Sequence, residues 1–189
     1  MAPTPATLFR TAQDHTQLLD EVDSWTNDAD LKDILNAGYE KGGVVTRCDR
    51  TARGFKPTEF PVFAPRALAG IGLNKLHQTT LDRTFAIPMV RQMKGEKRER
   101  LRPCKVRSTA SQLKKEIQKW VKANKEQVVA VYERGDFQYL ERFSDRTVDI
   151  AEPLAAIVEV TYSGHAELEL TRALLVGAIA TTRKEQQSA

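Results

Sequence analysis

The chain changes character near its middle, and this change limits the folds open to it. Up to about residue 90, short apolar runs alternate with polar stretches that contain glycine and proline, whereas after residue 107 apolar positions recur at helical spacing. The residues between, 91–107, are polar and basic. Strands and helices followed by helices alone predict an α/β fold, with residues 1–92 as the α/β core, 93–107 as a basic linker and 108–189 as an all-helical part.

Local signals predict the elements of both halves. Thr4 and Pro5 are typical of a helix N-cap and first helical position, and residues 28–37 predict a second helix that Gly38 ends. Leu113, Ile117, Trp120 and Val121 form a stripe that we expect to pack in a core, and further helices are predicted over residues 154–160 and 168–179. The predicted strands are residues 18–19, 44–48, 61–71 and 85–89, and residues 50–57 are a predicted loop.

Two adjacent acids follow the first predicted strand. Leu18 and Leu19 run directly into Asp20 and Glu21, which predicts a buried strand whose carboxyl end delivers two carboxylates. In P-loop ATPases such a pair orients a magnesium-bound water and polarises the water that attacks the γ-phosphate. The structural alternative is a solvated acidic turn, and the motif is short enough that both interpretations stay open.

Charge is distributed unevenly along the chain. Residues 1–40 carry eight acids against two bases, whereas residues 91–125 carry thirteen bases against three acids. A basic run of this kind predicts contact with a polyanion such as nucleic acid, or with an acidic protein, although it is also typical of a solvated helix face. The candidate nucleic-acid-binding residues are Lys97, Arg98, Arg100 and Arg102.

Two further arginines are candidates for phosphate contacts. Arg83 precedes the predicted strand at residues 85–89, from where a guanidinium can reach a neighbouring subunit's nucleotide. Its structural alternative is a surface pair with Asp82. Arg146 precedes an apolar helix, where it either faces a phosphate or, with Asp145, belongs to the helix cap.

Composition excludes several classes of protein. With 189 residues, 41% hydrophobic and 29% charged, the chain is neither collagen-like nor disordered. No apolar run approaches the roughly 18 residues of a membrane helix, and residues 1–10 lack the pattern of a secretory signal, so a cytoplasmic location without membrane contact is expected. Cys48 and Cys104 have no cysteine or histidine at metal spacing, and we expect both to be reduced.

Six short blocks follow one another along nearly the whole chain. They are TPATLFR (4–10), LLDEVD (18–23), LNAG (35–38), FAPRALAGIG (63–72), TLDRTFAIPM (80–89) and DRTVDIAEPL (145–154). Each block is unspecific alone, but six in this order are hard to obtain by chance. Together they resemble a bacterial and phage domain family of unknown function, number thirty-six thirty-one.

The resemblance implies the second half of a P-loop ATPase of the AAA+ or helicase-like kind, found in phage and mobile-element proteins that often also carry primase or helicase parts. The fold that it implies is a partial P-loop core with a short, mainly parallel sheet, followed by an all-helical lid. It implies that Asp20 and Glu21 are the Walker B pair, with Asp20 at the magnesium ion, and that Arg83 is an arginine finger. It further implies that Arg146 is a second-sensor arginine on a helical lid, and that Asn74 is the sensor-one amide.

The chain also departs from the ATPase pattern, because it lacks the phosphate-binding motif. No G-x-x-x-x-G-K-[ST] motif occurs, and residues 70–75 (GIGLNK) have neither its spacing nor its hydroxyl. The 19 residues before Asp20 are too few for the strand, P-loop, helix and strand that the architecture places there. We therefore expect ATP and Mg²⁺ to bind only when a Walker A half completes the site, and neither to bind the isolated chain.

Two functions follow as expectations. The first is the C-terminal portion of an ATP-dependent, nucleic-acid-handling ATPase from a mobile element or phage, inactive by itself. The second is a non-enzymatic basic module that binds nucleic acid or an acidic protein. Because a sheet without its expected strand leaves bare edges, the expected partners include an N-terminal ATPase half or a second copy bound through residues 44–89.

Overall fold

The computed structural model of the chain describes residues 4–13, 15–22, 29–51, 54–71 and 76–188. The chain forms two compact units. The first comprises Met1–Ala86 together with Arg183–Ala189, and the second comprises Ile87–Thr182. The first unit is therefore made from two separate stretches of chain.

The first unit contains both helices and strands, as the sequence predicts. Its helices are α1 (Pro5–Thr11), α2 (Ala29–Ala37) and α3 (Gln78–Leu81), and its strands are β1 (Gln17–Leu19), β2 (Val44–Thr51), β3 (Gly54–Pro61) and β4 (Arg66–Leu68). The mixed α/β class is confirmed, but the expectation of a mainly parallel sheet is wrong. Among the described residues only β1 and β4 pair in parallel, in register Leu18↔Ala67. The longer pairing is antiparallel, between β2 and β3.

Two strand predictions are corrected. Residues 54–57 belong to β3 rather than to a loop, and they pair with β2 from Thr51↔Gly54 onward. Residues 85–89, predicted as a strand, form neither helix nor strand. Proline explains both cases: Pro88 lacks the N–H that a ladder requires, whereas Pro57 is tolerated because both strands of a two-stranded ribbon are edges.

The core of the first unit packs α1 and α2 against the strands. Ile34 of α2 and Val62 after β3 have no exposed surface, and Leu8 of α1 retains only 2%. The Phe9 and Phe60 rings lie 4.5 Å apart between centroids. As predicted, α1 begins at Thr4, whose hydroxyl accepts the Thr7 N–H at 3.3 Å, with Pro5 in the first turn.

A half-buried guanidinium joins the elements around this core. Arg66 Nε donates to Gln17 Oε1 at 2.7 Å, and the Gln17 amide in turn donates to the Leu8 carbonyl at 2.7 Å. The two terminal nitrogens of Arg66 donate to the carbonyls of Gly38 (3.1 Å) and Val62 (2.6 Å). Because burial penalises the charged form, it lowers the pKa of Arg66. These contacts connect α1, β1, the end of α2 and the chain that enters β4.

The second unit is built from helices, and the predicted helices are confirmed and extended. It contains α4 (Pro103–Arg134), a short 3-10 helix (Gln138–Leu140), α5 (Asp145–Thr161) and α6 (Leu168–Ser188), of which residues up to Thr182 belong to this unit. Gly135 ends α4 at φ 64°, a left-handed conformation that suits glycine. The helical part thus begins at Pro103, inside the predicted linker.

The expected core stripe of α4 is only partly covered. No residue of α4 is buried: Leu113 is 55% and Ile117 54% exposed, while Trp120 is half-buried. The apolar core of this unit lies instead at Phe137 and Leu140 and along α5, where Ala151, Ala155 and Ala156 have no exposed surface. In the part of the chain that the structure describes, no helix has both the length and the apolar character needed to cross a membrane.

An ion-pair network joins α5, α6 and the 3-10 helix. Arg172 Nε donates to Glu159 Oε1 at 2.7 Å, and the Tyr139 hydroxyl donates to the same oxygen at 3.0 Å. The hydrogen bond from Arg172 lowers the pKa of Glu159, although burial opposes it. Arg172 also pairs with Glu169, whose side chain is 81% exposed. Glu159, with only 15% of its side chain exposed, is the better-shielded partner.

Gly38→Ala is expected to destabilise the first unit. A Cβ at this position would lie 2.2 Å from Arg66 Nη1, 2.5 Å from the Val62 carbonyl oxygen and 2.8 Å from the Ile34 carbonyl oxygen. Since two of these neighbours are backbone, relief requires movement of the chain, at a cost of about 1–3 kcal/mol. Urea denaturation measures the loss. Gly177→Ala is the matched control, because nothing lies within 4 Å of its Cβ inside α6, and it should stabilise the helix by about 0.5–1 kcal/mol.

Glu159→Gln is expected to destabilise the second unit by about 1–3 kcal/mol at pH 7, because it removes a charge-assisted hydrogen bond. The folded pKa of Glu159 is depressed, so its contribution is full above the unfolded value of about 4.3 and declines as the pH falls below it. Thermal unfolding from pH 7 to pH 3 should therefore show the two proteins converging in acid. Glu169→Gln, which removes the exposed partner, should cost less than about 1 kcal/mol; equal losses would contradict this ranking.

Candidate functional site

The predicted acidic pair lies in a small loop at the carboxyl end of β1. The Ala69 N–H donates to the Leu19 carbonyl at 2.8 Å, and the Val22 N–H donates to the Ala69 carbonyl at 3.0 Å. One residue beyond β4 thus bonds the chain on both sides of Asp20 and Glu21, which are exposed. The pairing fixes both ends of the loop and directs the acidic pair away from the ladder.

The backbone of this loop is strained. Glu21 has φ 55°, the one positive φ of a residue other than glycine in the described chain. Its N–H donates to Asp20 Oδ1 at 2.9 Å. A left-handed residue with a Cβ costs roughly 1–2 kcal/mol, and such strain persists where surrounding contacts impose it, often at binding or catalytic positions. The flanking hydrogen bonds to Ala69 supply that constraint here.

The strand that carries the pair buries one face only. Gln17 and Leu19 are 6% exposed, whereas Leu18 is 78% exposed. The expectation that both leucines are buried is therefore wrong for Leu18, because in a strand alternate side chains point to opposite faces and only one face of β1 is covered.

Arg83 is held against its own unit. Its Nη1 donates to the Thr79 carbonyl at 2.9 Å, and its guanidinium carbon lies 4.3 Å from the centroid of the Tyr39 ring. Its Nε is buried without a hydrogen-bond partner. The neighbouring Asp82 carboxylate accepts from Gln78 Nε2 at 2.9 Å. In this arrangement Arg83 packs on Tyr39 at the end of α3.

The other two nucleotide candidates lie apart from these residues in the chain. Arg146 is exposed in the first turn of α5 and belongs to the second unit, whereas Asp20, Glu21 and Arg83 belong to the first. Asn74 lies outside the described residues. The structure therefore groups Asp20 with Glu21 at one strand end and places Arg83 at the end of α3.

The basic candidates lie in an exposed stretch. Every residue from 87 to 119 is exposed, and the part before Pro103 has no helix or strand. Arg98 lies 3.7 Å from Glu96 in a surface ion pair, which contributes little to stability. The four candidates share this position: Lys97, Arg98, Arg100 and Arg102.

The second unit contains an acidic cavity that was not predicted from the sequence. Its volume is about 520 Å³. The first residue of its lining is Gly135, and the rings of Phe137 and Phe143 form part of its wall. Five carboxylates line it: Asp136, Glu141, Asp145, Asp149 and Glu152. Asp145, Asp149 and Glu152 recur at i, i+4 and i+7, which places them on one face of α5. This helical spacing is the sequence signal from which the acidic cluster could have been predicted.

The cavity has an electrostatic consequence for its own acids. Burial, and then the charge of Asp149, raise the pKa of Glu152. No lysine, arginine or histidine is among the described residues that line the cavity. The carbonyl end of α4, which carries negative partial charge, adjoins it at Gly135. The cavity therefore favours a cationic group.

The described residues contain no group of three histidine, cysteine or acidic side chains placed to hold a metal ion. Cys48 and Cys104 are exposed and not joined in a disulfide.

No family profile, curated protein or solved structure matched this chain. The resemblance to the phage and bacterial domain family therefore stays an expectation from the six sequence blocks.

Proposed function

We propose that this chain is the Walker B-bearing portion of an ATP-dependent, nucleic-acid-handling ATPase of the P-loop kind, from a mobile element or phage, and that it is inactive until a Walker A half joins it. The observation that carries the proposal is the loop of Asp20 and Glu21, anchored on both sides to Ala69 beyond the parallel strand β4. In parallel α/β sheets, ligands bind in the crevice at the carboxyl ends of the strands, where this loop lies.

The donor set suits a magnesium nucleotide rather than a magnesium ion alone. Mg²⁺ in phosphoryl-transfer sites is held by one or two carboxylates together with substrate phosphates and waters. In the proposed site Asp20 supplies such a carboxylate, and Glu21 polarises the attacking water. The phosphate cradle is not supplied, since the 189 residues contain no Walker A motif. A separate P-loop polypeptide or domain therefore has to complete the site.

The arginine roles require movement or assembly. To act as a finger, Arg83 must leave the Tyr39 ring, because its guanidinium now stacks there and bonds the Thr79 carbonyl. Arg146 as second sensor and Asn74 as sensor one complete the proposed constellation. Partner binding is the natural source of the energy for releasing Arg83, since an arginine finger neutralises charge only in the assembled site.

The isolated chain is expected to show no magnesium-dependent ATP hydrolysis. A phosphate-release assay with purified protein tests this directly. When a P-loop domain is supplied in trans or by fusion, turnover should appear, and Glu21→Gln should abolish it because the attacking water then lacks its polarising carboxylate. Under the same conditions Arg83→Ala should lower the rate by on the order of 10³- to 10⁵-fold.

Glu40→Gln is the matched control, since Glu40 is an exposed acid of the same unit outside the loop, and it should leave turnover unchanged. Hydrolysis by the chain alone that Glu21→Gln abolishes would show that no second half is needed. Restored turnover that is indifferent to Glu21→Gln would remove the Walker B assignment.

A second candidate function, a basic binding module, is favoured by the exposed stretch of residues 87–119. This stretch contains eleven lysines and arginines against three glutamates, and no residue of it is buried. Long exposed basic side chains can follow a phosphate backbone, where each neutralised phosphate releases counterions. This function does not depend on ATP.

Nucleic-acid binding by this stretch is expected to weaken steeply with salt. The log–log slope on duplex DNA should be about −0.9 for each phosphate that the protein neutralises. Replacing Lys97, Arg98, Arg100 and Arg102 together by Gln should weaken binding at low salt and flatten the slope by about 0.9 for each phosphate that is no longer neutralised. Fluorescence anisotropy across a salt series measures both quantities.

A control with the same reduction in charge removes four exposed bases outside the stretch: Lys41, Arg50, Lys56 and Arg142. It should preserve the slope. If the two quadruple variants behave alike, binding follows net charge rather than this segment; if the wild-type chain does not bind at low salt, the module function is excluded for the isolated chain.

A further inference from the structure

The first half of α4 carries an apolar row that nothing in its unit covers. Val106, Leu113 and Ile117 recur at i, i+7 and i+11, which places them on one side of the helix, and they are 37%, 55% and 54% exposed. The same stripe is half-buried further along, at Trp120, Asn124, Val128 and Val131. An interface that begins at Trp120 thus continues as an uncovered face toward Pro103.

One flank of this row is basic. Arg107 and Lys114 are spaced by seven residues, so they lie on the same side of α4, directly beside the apolar row. Both are exposed, and no acid lies on this flank of the first half of the helix. We call Val106, Leu113 and Ile117 with Arg107 and Lys114 the α4 face.

The acidic cavity has the complementary character. It combines aromatic wall at Phe137 and Phe143 with five carboxylates and no base among its described lining. It is open to solvent, and its volume of about 520 Å³ leaves room for side chains of a partner. It can therefore receive apolar and cationic side chains together, which are the two kinds that the α4 face presents.

The two surfaces of one chain cannot meet each other. The cavity begins at Gly135, directly after α4, whereas the α4 face ends at Ile117. Eighteen residues of continuous helix separate the two by about 27 Å. The partner of the α4 face is therefore sought on another molecule.

Charge also decides how two copies meet. Antiparallel face-to-face pairing of two α4 helices would place Arg107 and Lys114 against the same bases of the second copy, which is unfavourable. Face-to-cavity pairing places bases against carboxylates. The second arrangement is head-to-tail, and such contacts continue from copy to copy until a ring closes.

We propose that the α4 face of one chain docks in the acidic cavity of a second copy of this chain, so that the protein self-associates head-to-tail through its second unit. This association is independent of ATP and of the proposed Walker B loop. It is weak and sensitive to salt, because the contact area is small and its charges are near solvent.

Sedimentation velocity of the full chain over a concentration series tests the association. At low ionic strength the mean mass should rise with concentration, and added salt should reverse the rise. Two variants address the two surfaces: Arg107→Glu with Lys114→Glu on the face, and Glu141→Lys with Asp149→Lys at the cavity. All four positions are exposed, which preserves folding.

Each double variant alone should weaken self-association by at least about tenfold, because attraction becomes repulsion. An equimolar mixture of the two should regain it, since each reversed surface then meets a partner of opposite charge. Lys119→Glu with Lys122→Glu is the matched control: these residues lie on the other side of α4, and their reversal should leave association unchanged.

Three results would overturn the proposal. A wild-type chain that stays monomeric throughout the low-salt series has no such contact. Association that the face and control variants weaken equally follows net charge rather than the α4 face. A mixture that fails to regain association, while each variant remains folded by circular dichroism, would show that face and cavity do not meet; binding of the same face variant to duplex DNA with reduced affinity would then identify nucleic acid as the occupant.

Discussion

The first unit depends on one half-buried cation. Arg66 reaches the Gln17 side chain and the carbonyls of Gly38 and Val62, so a single guanidinium fixes the strand that carries the acidic loop, the end of α2 and the chain entering β4. A buried charge without hydrogen bonds is costly, and a planar guanidinium satisfies several oxygens at fixed angles. Gly38 is required because a side chain there would occupy the space of this group. The register Gln17↔Arg66 follows from the same contacts.

The helices were predictable because their ends depend on interactions between residues close in sequence. The strands were harder to predict because they depend on pairing between distant residues. Thr4 and Pro5 define the start of α1, and Gly135 the end of α4, through interactions with residues close in sequence. The strand at residues 44–48 was predicted, but its partner β3 was not, because β3 is exposed along most of its length and shows no apolar alternation. For α4, periodicity identified the apolar side correctly, but it contains no information on whether another surface covers that side.

The candidate site was predictable in position but not in conformation. A strand followed by Asp20 and Glu21 locates two carboxylates at a sheet edge from sequence alone. The positive φ of Glu21 and the double attachment to Ala69 depend on a residue almost fifty positions away, which the local sequence does not reveal. The acidic cavity was likewise predictable only in part. The spacing along α5 groups Asp145, Asp149 and Glu152 in the sequence, whereas only the fold brings Asp136 and Glu141 beside them.

The discontinuous first unit has a consequence for the order in which the chain folds. Its final stretch begins at Arg183, whose Nη2 donates to the Asp82 carbonyl at 3.2 Å across a separation of 101 residues. During synthesis on the ribosome, the whole second unit emerges before this contact can form. The second unit can therefore fold while the first unit still lacks its C-terminal stretch. In most multidomain proteins the order is the reverse, because the N-terminal domain is synthesised and folded first.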